Sequence, residues 1–233
     1  MTYLFYTANS FNSILTIDGG KNSIVQISKE KNLNKVFIVE KNPSSFPIAF
    51  KALGEKLVYG IEFTVCENIE SDAIESIETE HKIIIFAKTG FGWNNHLMKL
   101  YSTAYVDGHF KGVPRLDFKM INKYWGNDLL MMIPFYDSFI YNNLLKFSCC
   151  NISLKQKPLF CLESHDLPYD NILRRKVTEF ADANNCDTIE THKVCYRDSI
   201  DIVPYQTYMC VQNKSDMEKP NLDGFASDKF CIA

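Results

Sequence analysis

Long apolar runs are missing from this chain of 233 residues. None approaches the roughly 18 residues that cross a bilayer, so no membrane span is expected. The opening MTYLFYTANS lacks a basic stretch followed by a long apolar one. No secretory signal is visible there, and the cytoplasm is the expected location. C-x-x-C pairs are absent as well: the eight cysteines are scattered, and the adjacent Cys149 and Cys150 are badly placed to bridge each other. Reduced thiols are expected. Strong charge of either sign is lacking, because 25 Lys and Arg face 28 Asp and Glu for a net charge of -3. A global attraction to nucleic acid or to an acidic membrane surface is thereby excluded. Neither G-x-x-x-x-G-K-[ST] nor G-x-G-x-x-G occurs, so no phosphate loop is indicated. GFGW (90 to 93) is too short for one and reads as the end of a loop before a helix. His81, His96, His109, His165 and His192 do not pair at metal-ligand spacing and read as packed or surface histidines. There is no internal repeat and no long linker. MEKPNLDG (217 to 224) is the clear loop-like run near the end, and one domain over 1 to 233 is expected.

What is present is a globular composition, 46% hydrophobic and 23% charged. Short runs rich in β-branched and aromatic residues read as strands: YLFYT (3 to 7), KVFIVE (35 to 40), YGIEFTV (59 to 65), KIIIFA (82 to 87), LLMMIPF (129 to 135), LFCLE (159 to 163) and DTIETHKV (187 to 194). Helical patterns lie between them at 21 to 31, 45 to 55, 93 to 105, 137 to 147, 169 to 184 and 198 to 212. In the helix at 169 to 184, Ile172, Val177 and Phe180 share a face, which leaves Arg174, Arg175 and Lys176 on a solvated one. Seven strands alternating with helices predict an α/β fold with a mostly parallel sheet, open or closed into a barrel.

One stretch looks at first like a metal site. THKVCYRDSID (191 to 201) brings His192, Lys193 and Cys195 together, but on a strand side chains alternate. His192 and Cys195 then face apart, and Cys195 shares its side with the Lys193 ammonium, which repels a divalent cation. In a parallel α/β barrel chemistry sits at strand C-termini. Those positions carry Thr7 and Asn9, Glu40 and Lys41, Glu62, Phe135, and Lys193 and Cys195. Glu62 alone among them is an unopposed hard-metal or zinc ligand.

The string of segments resembles a known family, the polymerase and histidinol phosphatase (PHP) domain at the N-terminus of the bacterial DNA polymerase III alpha subunit. SFNSILTIDGG (10 to 20) resembles its S-x-Y-S-L-L-D-G opening, with about two residues inserted before Asp18. YGIEFTV (59 to 65) resembles its G-x-E-x-Y-V strand. HKIIIFAKTGFGWNNHLMKLYSTAY (81 to 105) follows H-L-x-L-L-A-x-N-x-x-G-Y-x-N-L-x-x-L-x-S-x-A-Y with one extra residue near His96. GHFKGVPRLD (108 to 117) is similar to G-F-Y-x-x-P-R-I-D, HDLP (165 to 168) to H-G-L-P, and FASDKFCI (225 to 232) to F-x-S-x-E-F-Y-L. THKVCYRDSIDIVPYQTYMCVQ (191 to 212) runs without a gap against T-N-D-V-H-Y-L-x-P-E-D-A-x-A-H-D-V-L-L-C-I-Q, with Tyr196, Asp201 and Cys210 in register. The resemblance covers the whole chain in order.

It implies a distorted TIM-like (β/α)7 barrel, the PHP fold. In active members of that family, His, Asp, Glu and Cys at the barrel mouth bind two or three metals for phosphoester hydrolysis. Here the opening H-x-H falls on Thr7 and Asn9, and the D-H pair after the second strand on Glu40 and Lys41. A later histidine falls near Tyr105, the cysteine near Phe135, and the final D-x-H on Lys193 and Cys195. Glu62 survives, and so does Asp18, displaced by the insertion. The resemblance thus implies a former metal site, with no catalytic residue, metal or cofactor. Lys41 and Lys193 would take the place and charge of the lost cations beside Glu62 and Glu40. The implied role is a scaffold and docking module in DNA replication, for the proofreading exonuclease or the polymerase core, without strong DNA binding by this domain alone. The alternatives are a metal-dependent phosphoesterase rebuilt on Glu40, Glu62, Asp18 and Cys195, or a free-standing relative that competes for polymerase partners.

Overall fold

β-Branched and aromatic runs form strands because their side chains pack well on a pleated surface and lose rotamers in a helix. All seven predicted strands are present in the computed structural model, which describes residues 1–71, 73–213 and 226–232. The loop expected at 217 to 224, and Phe225 of the last motif, lie outside the described residues. In chain order the elements are β1 (Thr2–Tyr6), α1 (Ile24–Glu30), β2 (Val36–Glu40), α2 (Phe46–Leu53), β3 (Leu57–Val65) and β4 (His81–Ala87). Then come α3 (Gly90–Gly92), α4 (Met98–Val106), β5 (His109–Phe110), β6 (Val113–Leu116), α5 (Phe118–Tyr124), β7 (Leu129–Ile133) and α6 (Phe139–Leu145). The chain continues through β8 (Leu159–Leu162), α7 (Asp170–Ala183), β9 (Thr188–Val194) and α8 (Ile202–Asn213). The fold is mixed α/β, and among the described residues no helix is long and apolar enough to cross a membrane.

Contacts divide the chain into two compact units, each assembled from separate stretches. The first comprises Met1–Tyr59, Glu163–Asp170 and Glu190–Ala233, the second Gly60–Leu162 and Asn171–Ile189. In the first unit β1 lies between two parallel neighbours. Leu4, Phe5 and Tyr6 register with Phe37, Ile38 and Val39 of β2, and Leu4 and Phe5 with Lys193 and Val194 of β9. Leu4, Phe5, Ile38, Val39 and Val194 are buried there.

The second unit departs from the expected parallel sheet. β4 runs antiparallel to both β3 and β7, and β5 antiparallel to β6, while β3–β6 and β7–β8 are parallel. Parallel neighbours need a long crossover connection, whereas antiparallel neighbours do not. Among the described residues between β3 and β4 there is a 3-10 stretch, Ile74–Thr79, and no crossover helix. The β5–β6 hairpin turns at Lys111 and Gly112, both at positive φ (47° and 86°), the geometry that matches strand twist. Between α3 and α4 lies a π-helical turn, Trp93–Leu97. It falls where the motif carries one extra residue near His96, and a wider turn is how a helix absorbs one. In α7 Val177 is buried and Phe180 packs against Phe139 and Phe160 as expected, but Ile172 is exposed and Leu173 and Ala181 complete the buried face instead. Arg175 and Lys176 lie on the solvated side and pair with Glu179.

Candidate functional site

The parallel pairing of β1 with β2 and β9 brings three strand C-termini level in the first unit. Tyr6 registers with Val39, so Thr7 and Glu40, each one residue further on, project from the same face. Both are buried, and Thr7 Oγ1 donates to Glu40 Oε1 at 2.5 Å. Ser45 Oγ donates to the same oxygen at 2.9 Å, and Ser10 Oγ donates to Oε2. Behind them Tyr59 OH lies 2.7 Å from Ser45 Oγ and donates to the Asn42 carbonyl at 3.0 Å. Burial pushes the Glu40 carboxyl above the usual range, and the three hydroxyls, with Lys41 last, pull it back. Hydroxyl hydrogens hold this carboxylate.

Lys193 belongs to the other face. It registers with Leu4, and its Nζ lies 5.0 Å from the centre of the Tyr6 ring and 5.7 Å from that of Phe230. The expected neutralisation of Glu40 by Lys193 is therefore corrected, because strand alternation sets the two on opposite sides. Lys193 acts instead on Glu163, a strand-end carboxylate outside the candidates named from the sequence. Glu163 is buried just after β8; it accepts from Thr191 Oγ1 at 2.9 Å and from the Lys193 backbone N–H at 3.3 Å. His165 Nδ1 lies 3.5 Å from Glu163 Oε2. The His165 ring packs against His192 and Phe230, each at 4.6 Å between centroids. His192 Nε2 in turn donates to the Cys231 carbonyl at 2.7 Å, so that nitrogen carries its proton. Desolvation pushes Glu163 up to about 7, against the hydrogen bond from Thr191 and the charge of Lys193. It drives His165 down to about 3, helped by the charges of His192 and Lys193.

The remaining candidates fall elsewhere. Asn9 is exposed in a short 3-10 turn and donates through its backbone N–H to Thr7 Oγ1 at 3.2 Å. Asp18 is exposed and accepts from the Gly19 N–H at 2.8 Å. Lys41 is exposed, with its backbone N–H on Ser10 Oγ. Cys195 is fully buried beyond the end of β9; its carbonyl accepts from the Ile14 N–H and Ser13 Oγ. In the second unit, Glu62 is half-buried on β3, and Phe135 is buried with its ring edge-on to Tyr136. Tyr105 is an exposed ring on α4, beside Tyr101 and His109, and not a strand-end residue.

No protein-family model matches this chain, and no curated protein does. The reading of the site rests on its own geometry. A pair of hydrolytic metals needs several carboxylate and neutral imidazole lone pairs converging on one point. Among the described residues no group of three or more His, Cys, Asp or Glu side chains has that arrangement. The residues at these strand ends do not fit a metal pair.

Glu163 and His165 were within reach of sequence reasoning. Glu163 closes the predicted strand LFCLE, the same criterion that selected Glu40, and His165 opens the HDLP motif. Arg115 carried no comparable signal beyond its motif GHFKGVPRLD. It is almost wholly buried in the second unit, donating to Ser76 Oγ at 2.9 Å and the Ser71 carbonyl at 3.2 Å, with Glu80 at 3.4 Å.

Proposed function

We propose that this chain is a degenerate PHP-type domain, a distorted (β/α)7 barrel that has lost phosphoester hydrolysis and serves in the cytoplasm as a docking module for replication proteins. The observation that carries the reading is the hydrogen bonding of Glu40. The resemblance implies metal-ligating histidines at Thr7, Asn9 and Lys41 around this carboxylate; the hydroxyl of Thr7 stands at one of those positions, and Ser10 and Ser45 add two more. A hydroxyl proton satisfies the lone pairs that a cation would otherwise take, and keeps a buried carboxylate tolerable without metal. On the opposite face an ammonium, Lys193, lies beside Glu163, a charge arrangement that repels a second cation. The partners expected from the resemblance are the proofreading exonuclease and the polymerase core. Affinity capture from the native host at moderate salt tests this directly. Recovery of either replication protein supports the docking role. Stoichiometric metal in the purified protein, with manganese- or zinc-dependent cleavage of a phosphate ester abolished by Glu40→Gln, sinks it.

A further inference from the structure

Building on the docking role above, we propose that the groove beyond the end of β9 in the first unit is a peptide-docking site. Residues 226 to 232 fill it, and a partner protein's segment with serine three residues before phenylalanine takes their place.

The groove reads main chain. β9 ends at Val194, and the next two N–H groups turn to the bound segment. Cys195 N–H donates to the Phe230 carbonyl at 2.8 Å, and Tyr196 N–H to the same carbonyl at 3.3 Å. His192 Nε2 donates to the Cys231 carbonyl at 2.7 Å, and the Tyr196 hydroxyl to the Ser227 carbonyl. Tyr196 and Cys231 pair as an isolated parallel bridge. Groove donors thus meet carbonyls that every residue type carries, so they would hold another segment as well as this one.

Two side chains set the specificity. Phe230 is 3% exposed, its ring 4.6 Å from that of His165, with Lys193 Nζ 5.7 Å from its centre. Ser227 is buried and donates its hydroxyl to the His165 carbonyl. The same serine shapes the segment: its Oγ accepts the Lys229 N–H at 3.1 Å and its carbonyl the Phe230 N–H at 3.1 Å. A serine turn of this kind presents the phenylalanine at little ordering cost. Asp228 and Lys229, between the two, are exposed and lie 3.9 Å apart as an ion pair, away from any reading by the groove. The recognised pattern is S-x-x-F. These contacts all lie between Ser227 and Cys231, a length that a segment of another chain can carry.

The test titrates a fluorescein-labelled peptide ASDKFCI (226 to 232), under reducing conditions, into the full chain carrying Phe230→Ala, with fluorescence anisotropy as the readout. The control peptide has alanine in place of its phenylalanine. We expect saturable binding of the first peptide and none of the control. Binding should be at least about ten-fold tighter than to the wild-type chain, whose own segment competes at high effective concentration. Ser227→Ala, which removes one hydroxyl and keeps the Phe230 ring, serves where Phe230→Ala fails to fold, with binding about five-fold tighter than to wild type. Equal binding to wild-type and variant chains would place the peptide elsewhere, and equal binding of the two peptides would deny the phenylalanine pocket. Either result overturns the proposal, as does no binding by either variant. A wild-type dimer in gel filtration that the peptide converts to monomer would give the groove to a second copy and overturn the partner assignment. Capture of replication proteins from the native host does not involve the peptide, so its failure and that of the peptide are read separately.

Discussion

At the scale of single residues, the first unit sets a carboxyl that keeps its proton near neutrality beside a histidine that refuses one. Their effects on stability have opposite signs. Glu163 rises from 4.5 to about 7 on folding, so the folded form retains a proton that the unfolded chain has lost, and stability falls as pH climbs from about 4.5 to about 7. His165 drops from 6.5 to about 3, so the unfolded chain takes up a proton first, and stability falls as pH descends from about 6.5 to about 3. In the shared window the pair holds one proton, whichever atom carries it, and the two slopes cancel. Wild-type stability from denaturant titrations should thus be nearly flat between pH 4.5 and 6.5 as far as this pair contributes. Glu163→Gln should show stability rising with pH there, by up to about 1.4 kcal/mol per pH unit. His192, Lys193 and Asp170 stand nearby in both proteins and cancel in the comparison. Identical slopes would mean that Glu163 holds no extra proton. On the other face, Thr7→Val deletes a donor to buried Glu40 and should cost about 1–3 kcal/mol by the same titration. Lys193→Ala uncovers two rings and strips Glu163 of its cation, for about 1–3 kcal/mol, whereas Lys41→Ala at an exposed site should stay within about 0.5 kcal/mol. Equal effects of the two lysine changes would contradict the register argument. The sequence marks Thr7, Glu40 and Lys193 as strand-end positions, but which face each takes depends on register across strands far apart in the chain.

At the scale of elements, what was legible is what periodicity encodes. Seven strands announced themselves through β-branched runs such as KVFIVE and KIIIFA, each long enough to outweigh its flanks. β5 and β6 did not, since two and four residues containing Pro114 make no run. Nor did strand direction: an apolar run reads the same whether its neighbour is parallel or antiparallel, so the reversed β4 was invisible. Two glycines test the packing that resulted. A Cβ on Gly60 would stand 2.5 Å from the Phe86 ring, and one on Gly108 only 1.9 Å from the Arg115 carbonyl oxygen. A ring can tilt, but the backbone carbonyl of a hairpin strand cannot retreat. Gly60→Ala should destabilise by about 1–3 kcal/mol, and Gly108→Ala by more, in thermal unfolding. The reverse order would show that the hairpin yields more readily than the core. Asp117 caps α5 through the Met120 N–H at 2.8 Å and also receives the Ile69 N–H. Asp117→Ala should cost about 1–2 kcal/mol on the same assay.

At the scale of the whole molecule, charge limits what the chain can hold. With 25 basic against 28 acidic residues, few phosphates could be neutralised at once. Duplex DNA binding should be weak and lost between about 50 and 200 mM salt in a fluorescence-anisotropy titration. Binding that survives that change would point to a concentrated basic surface. The pairing of β1 with β9 has a consequence in time. Leu4 meets Phe37 soon after both are made, but its other neighbour is Lys193. At a synthesis rate of about 5–20 residues per second, that partner leaves the ribosome about 8–30 s after Phe37. Through that interval one side of β1 has unmet N–H and C=O groups, the kind of edge to which a neighbouring nascent chain can add. The first unit is finished only after Lys193 and the Phe230 ring beside it have been made.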